Sequence, residues 1–250
     1  MRAALRVESL KLRRSQVGII ATAVIIGGMT LLVGGIMFAL ATGQADVTAK
    51  LGPTVSFGWD GLVAASTQIM GAGGLVGYGV VLAWLFAREF SDGTVTGLFA
   101  LPVRLRTIAA AKLVVFLAWA ACVSVLAAIG PLMAGLLLGF GWPDAQVWAA
   151  LVRQIALGLL TAVIATPVAW IATVTRSLLA GVGATVGLVA LAQVSVLAGA
   201  GGWMPVAAPA LWSLSAGAAV SPAQLAVSAM FGATFAALTC LAWHRLQLYR

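Results

Sequence analysis

Six segments of this chain are apolar over about 20 residues or more, the length that one helix needs to cross a bilayer core, and only polar, Pro-rich or Gly-rich breaks separate them. They fall at about 17–41, 60–87, 113–139, 148–172, 178–200 and 223–243, with ends uncertain by roughly 2 to 4 residues. The break between the fourth and fifth is only Thr173 to Ser177 around Arg176, but an unbroken run from 148 to 200 would far exceed a core of roughly 30 Å. A tight turn at Arg176 divides them. The expected fold is therefore all-α and polytopic, one transmembrane domain over residues 1–250 with six helices. Composition agrees, because 62% hydrophobic and 8% charged residues cannot cover a water-facing surface that normally needs about 25% charge.

The net charge of +8 would suggest nucleic acid in a soluble protein, but here the charges are topological. Basic residues stay on the cytoplasmic side of a membrane protein. With both termini inside, the inner side holds Arg2, Arg6, Lys11, Arg13, Arg14, Arg88, Arg104, Arg106, Lys112, Arg176, Arg245 and Arg250, and the outer side only Lys50 and Arg153. The acids split evenly, Glu8, Glu89 and Asp92 inside against Asp46, Asp60 and Asp144 outside. This places both termini on the cytoplasmic side, with nucleic acid not expected as a partner and the cell's inner (cytoplasmic) membrane as the expected location.

The same inventory removes several chemistries. A lone His244 cannot supply paired imidazole ligands, and HExxH is absent. Cys122 and Cys240 lack CxxC spacing and read as small apolar residues. No metal or catalytic residue is expected. The basic start leads into an apolar run longer than the roughly 7 to 15 residues of a signal h-region, so it is expected to stay as an anchor. Asp60 and Arg153 sit near span ends, which leaves the span centres without the buried charges that ion-coupled transporters use.

Three features lie outside the spans. In the N-terminal segment Arg2, Arg6 and Arg13 share a helical stripe suited to anionic headgroups, with Leu5 and Leu12 on one side and Val7 and Leu10 on the other. It reads either as an interfacial helix or as a tail that only sets topology. The connection from Arg88 to Lys112 carries Phe90, Val95, Leu98, Phe99 and Leu101 between its charges, with Val95, Leu98 and Phe99 at i, i+3, i+4. Asp92 or Ser91 is placed to cap a short helix there and Pro102 to end it. Such an amphipathic helix either docks a cytoplasmic partner or lies on lipid. The outer link from Gly199 to Pro222 holds Trp203, Pro205, Pro209 and Trp212 and no charge, and reads as a re-entrant hairpin or an interfacial loop. Within the spans, Gly73/Gly77, Gly135/Gly139 and Gly183/Gly187 form GxxxG pairs for close packing, inside the chain or at a dimer face, and Thr166-Pro167 should kink the fourth helix. Gln68 and Gln193 are too few to name a substrate, and no polar seam is expected inside the six spans.

Glu89, then Gly93-Thr94, Leu98, Pro102 with Arg104, and Lys112 opening the next span resemble the signature of type-2 ABC exporter permeases. Six spans, the basic N-terminal lead and the Pro-rich outer link resemble the same family in its small prokaryotic form, including exporters of antibiotics and peptides. The Arg104-Leu105-Arg106 run departs from the pattern and leaves open which arginine takes the family role.

The resemblance implies a permease that pairs with a second permease subunit, as a homodimer or heterodimer, and with two copies of a separate ATPase that holds ATP and Mg. Independently, a P-loop needs Lys followed by Ser or Thr, whereas Lys11, Lys50 and Lys112 all precede leucine, so no ATP hydrolysis and no cofactor is expected in this chain. The segment between the second and third spans would act as a coupling helix. Glu89, Gly93, Thr94, Pro102 and Arg104 are carried over from the family motif, and Phe90, Val95, Leu98 and Phe99 are candidates for its apolar face. Glu89 has a second reading as a local ion pair with Arg88, Arg104 or Arg106. The expected function is export of a hydrophobic or amphipathic small molecule, peptide or lipid-like cargo, drug or antibiotic efflux included. The rival expectation is a non-transporting membrane anchor for a cytoplasmic partner.

Overall fold

A computed structural model describes residues 1–43, 56–100 and 102–247; Asp46, Lys50, Leu101 and Arg250 lie outside the described residues. Helices make up the regular structure, and there is no strand among the described residues. In chain order they are α1 (Arg2–Arg13), α2 (Gln16–Ala41), α3 (Trp59–Ser91), α4 (Val95–Phe99), α5 (Leu105–Leu137), α6 (Ala145–Ile164), α7 (Pro167–Thr175), α8 (Leu178–Leu197), α9 (Ala208–Leu214) and α10 (Pro222–His244). α2, α3, α5, the α6–α7 pair, α8 and α10 are the six long apolar helices.

Local chemistry sets the starts of several helices, because the first N–H groups have no partner within the helix. Ser15 accepts from the Gly18 N–H at 2.9 Å, Asp144 from Val147 at 2.8 Å, and Ser221 and Gln224 form a capping box ahead of α10. Arg176 takes a left-handed backbone, φ 53°, and makes the expected turn between α7 and α8. α6 ends at Ile164 and α7 restarts at Pro167, where the proline cannot donate to the preceding turn. The freed end is tied across the bundle: Thr166 Oγ1 donates to the Gly232 carbonyl of α10 at 2.9 Å.

The expected 88–112 connection is much shorter. α3 continues to Ser91 and α5 starts at Leu105, so only 92–104 link them. Lys112, expected to mark the entrance to a span, is buried within α5; a paired charge interrupts an apolar run without interrupting a helix. Asp92 does not cap α4 either. It closes α3 and pairs with Arg88 at 3.1 Å.

α3 is the central helix, packed against α2, α5, α6, α7 and α8. Small residues permit two of these approaches: Gly77 faces Ile25 of α2, and Gly135 of α5 faces the Trp59 ring. The other expected packing glycines behave differently. Gly139 forms the turn after α5 at φ +79°, and Gly183 and Gly187 on α8 face open space. The GxxxG pair of α8 therefore meets nothing among the described residues.

The expectation of an interior without a polar seam is corrected. Gln154, 1% exposed, bridges three helices: its Oε1 accepts from Ser66 of α3 at 2.9 Å and its Nε2 donates to the Ala127 carbonyl of α5 at 3.3 Å. Tyr78 and Ser124 share a hydrogen bond at 2.9 Å. No buried side-chain polar atom among the described residues lacks a partner, so these groups bind helices together instead of lining a path. Gln154→Leu is accordingly expected to lower stability by only about 1 kcal/mol, since interhelical hydrogen bonds average about 0.6, and to leave transport intact; thermal unfolding and transport assays of the same variant check both.

Candidate functional site

α3 and α5 are 33 residues each, about 50 Å at 1.5 Å per residue, so both outlast a hydrocarbon core of about 30 Å. Four charged side chains meet where the end of α3 and the start of α5 emerge. Lys112 Nζ donates to Glu8 Oε2 at 2.8 Å and to Glu89 Oε1 at 2.9 Å. Lys11 Nζ donates to Glu8 Oε1 at 3.1 Å and to Glu89 Oε1 at 2.8 Å. Two acids and two bases leave the group neutral, which is the condition for desolvating charges without a prohibitive penalty. Glu8, Glu89 and Lys112 are each at most 2% exposed. At Lys11, burial alone would depress the lysine, but the Glu89 hydrogen bond and the charges of Glu8 and Glu89 outweigh it and raise its pKa above the ordinary value. The ammonium stays charged throughout the neutral range.

This cluster explains the spacing of the Glu89, Gly93-Thr94 pattern. α3 closes at Asp92, whose N–H reaches the Arg88 carbonyl at 2.8 Å, and Gly93 turns the chain at φ +67°. That left-handed conformation costs a residue with a Cβ roughly 1–2 kcal/mol. The turn carries the Thr94 hydroxyl back to donate to Glu89 Oε2 at 2.7 Å. One carboxylate thus takes Lys11 and Lys112 on one oxygen and the entry to α4 on the other. Glu89 is buried, and its ion partners are Lys11 and Lys112, not Arg88, Arg104 or Arg106.

The remaining expected residues separate. Phe90 lies 6.2 Å from the Trp243 ring and under the Arg176 guanidinium at 5.7 Å, and Leu98 packs on the core. Val95 is half-buried, whereas Thr96, Gly97, Phe99 and Ala100 are exposed. The i, i+3, i+4 set is thus divided, Val95 and Leu98 turned towards the protein and Phe99 (38% exposed) outward. Pro102 and Arg104 are exposed, and Arg104 is the N-cap position of α5.

Glu8, Lys11 and Trp243 join the site without having been marked in the sequence, and Lys112, quoted there only as the residue opening a span, is an ion partner within it. Trp243 of α10 stands 5.7 Å from the Lys112 ammonium and donates from Nε1 to Thr173 of α7 at 3.1 Å. One signal for Glu8 existed: Leu5, Glu8 and Leu12 fall on one helical stripe, a carboxylate on the apolar side of an amphipathic helix.

At the other end of the bundle α9 packs on α3 and α6, with Val206, Ala207, Ala208 and Pro209 buried. The outer link is thus folded into the bundle. Beneath it Gln68 of α3 and Gln193 of α8 line one cavity of about 200 Å³. A second of about 250 Å³ contains Asp60 and Arg153, and the two share Thr67 and Leu214.

Residues 4–192 match the sequence family described as ABC-2 family transporter protein. Comparison with curated proteins and with solved structures gives no match.

Proposed function

This chain belongs to the ABC-2 transporter family, which with its six apolar helices makes it a multi-pass permease subunit, and from that premise we propose that it is the membrane half of an ATP-driven exporter. A separate ABC ATPase in two copies, holding ATP and Mg, docks on α4. Both termini are cytoplasmic and the membrane is the inner one, in keeping with the basic residues gathered at the end of the bundle that bears α1 and α4.

The observation that carries this reading is the attachment of α4. A segment that only lies on lipid needs no mechanical link to the spans. Here Thr94, at the entrance to α4, is bonded to the carboxylate that also holds α1 and α5 together. Closure of an ATPase dimer against Thr96, Gly97 and Phe99 would pass through Thr94 and Glu89 to α1, α3 and α5. Nucleotide then biases two arrangements of the permease by binding one of them better.

The bare Gly183 and Gly187 face of α8 supports a second permease subunit there. The paired cavities beneath α9, whose walls mix apolar residues with Gln68 and Gln193 in one and Asp60, Gln146 and Arg153 in the other, suit an amphipathic cargo leaving on that side.

Phe99→Asp tests the docking face. Because Phe99 is partly exposed and outward, the stability of the variant is expected to stay within about 0.5 kcal/mol of wild type, read by thermal unfolding, while co-purification of the ATPase encoded nearest this gene falls to background. Full retention of the ATPase by Phe99→Asp would place the docking face elsewhere on the chain, and failure of wild type and variant alike to bind the ATPase would favour the anchor reading.

A further inference from the structure

α2 and α5 leave a groove of about 890 Å³ between them, bounded at one end by α1. Its chemistry changes along its length. Ser9 and Arg13 of α1 form the end nearest the ion cluster, and the wall continues through Ile26 and Gly27 of α2 against Trp119 and Cys122 of α5. From Gly18 to Gly27 the α2 wall runs on the order of 13 Å, into the depth expected of hydrocarbon.

The groove is built into the helices. α2 widens into a π-helical turn at Val24–Gly28, and a side chain added at Gly27 would meet nothing within 4 Å. The opposite wall is held in place, because Trp119 Nε1 donates to Thr22 Oγ1 at 3.0 Å and its ring packs edge-on to Tyr78 at 5.7 Å.

Arg13 decides what fits. Every carboxylate near this end of the described structure is already engaged: Glu8 and Glu89 with Lys11 and Lys112, Asp92 with Arg88. Arg13 has no acidic partner among the described residues. Covering the groove with the apolar flank of a second copy would bury that guanidinium unpaired, a costly arrangement. A phosphate at the membrane surface suits its fork of donors, and Arg2, Arg6 and Arg14 on or beside the same helix oppose an additional cationic headgroup.

We propose that this groove is a binding site for one anionic phospholipid, its phosphate on Arg13 and one acyl chain lying along Ile26 and Gly27 against Trp119 and Cys122. The lipid would splint α1 against α2 and α5. The inference rests on α1 lying at the membrane surface and does not depend on the ATPase or the cargo. A comparable groove of about 550 Å³ between α2 and α3 is lined only by apolar residues and offers no such selection.

Native mass spectrometry of the detergent-purified permease, titrated with phosphatidylglycerol or phosphatidylcholine, tests this. Wild type is expected to retain one phosphatidylglycerol per chain, and Arg13→Gln to bind it about fivefold more weakly, the effect of one basic residue at a membrane surface, with phosphatidylcholine unaffected. Gly27→Leu should lose the retained lipid, while Gly34→Leu, also facing open space on α2, should keep it. Undiminished phosphatidylglycerol in both Arg13→Gln and Gly27→Leu would overturn the site. So would a Gly27→Leu chain that keeps its lipid but separates from a second copy, which would make that copy the occupant.

Discussion

Glu89→Leu is expected to destabilise the protein by about 3–5 kcal/mol, the usual consequence of removing one partner from a buried ion pair. Lys112, at 1% exposure, would keep only Glu8, which Lys11 also contacts, so two ammonium groups would compete for one carboxylate. Lys112→Met should cost a similar amount for the mirrored reason, leaving Glu8 and Glu89 to share Lys11. The double variant is different. It retains Glu8 and Lys11 as a neutral pair within α1, so its unfolding temperature should lie nearer wild type than either single variant does. A double variant whose loss equals the sum of the singles would show that the four groups do not act as a unit. Stability and coupling should also separate: the double variant lacks the acceptor for Thr94, so it is expected to remain folded and yet fail to transport.

Gly93→Pro is expected to abolish ATP-driven transport while the chain remains inserted. Proline holds φ near −65°, where this position requires +67°, and it removes the N–H that reaches the Phe90 carbonyl at 3.3 Å. The turn then cannot return Thr94 to Glu89, and α4 loses its link to α1 and α5 even if the ATPase still binds. Reconstitution with the ATPase, reading hydrolysis and cargo movement together, should show hydrolysis without transport. Gly93→Ala, which pays only the left-handed cost of roughly 1–2 kcal/mol, should be intermediate. Wild-type transport by Gly93→Pro would remove the mechanical role assigned to this turn.

The motif between the second and third spans was visible as a pattern of residues, but the physical meaning of its members was not. Gly93 and Thr94 could be marked from the sequence; that they exist to fold a hydroxyl back on Glu89 depends on a turn geometry. Lys112 reads in sequence as a charge at the edge of a span, and only its two carboxylate partners make it an interior residue of α5. Gln154 was passed over in favour of Gln68 and Gln193 because helix periodicity cannot say which of several polar residues faces three neighbours. The same limit applied to glycine: three GxxxG pairs look alike, yet Gly77 and Gly135 meet other helices or rings while Gly183 and Gly187 meet none.

The long apolar runs and the scarcity of charge were enough to establish a helical membrane protein with six spans, because the length of a span and the cost of charge in hydrocarbon act on each segment separately. The turn at Arg176 and the break at Pro167 were legible for the same local reason. Which carboxylate meets which ammonium could not be read, since Glu8, Lys11, Glu89 and Lys112 come from three helices separated by as many as 104 positions. That arrangement, and with it the anchoring of α4 and the groove beside Arg13, is decided by how α1, α3 and α5 pack. Burial makes an unpaired charge intolerable and so selects the one docking of α1 that neutralises all four.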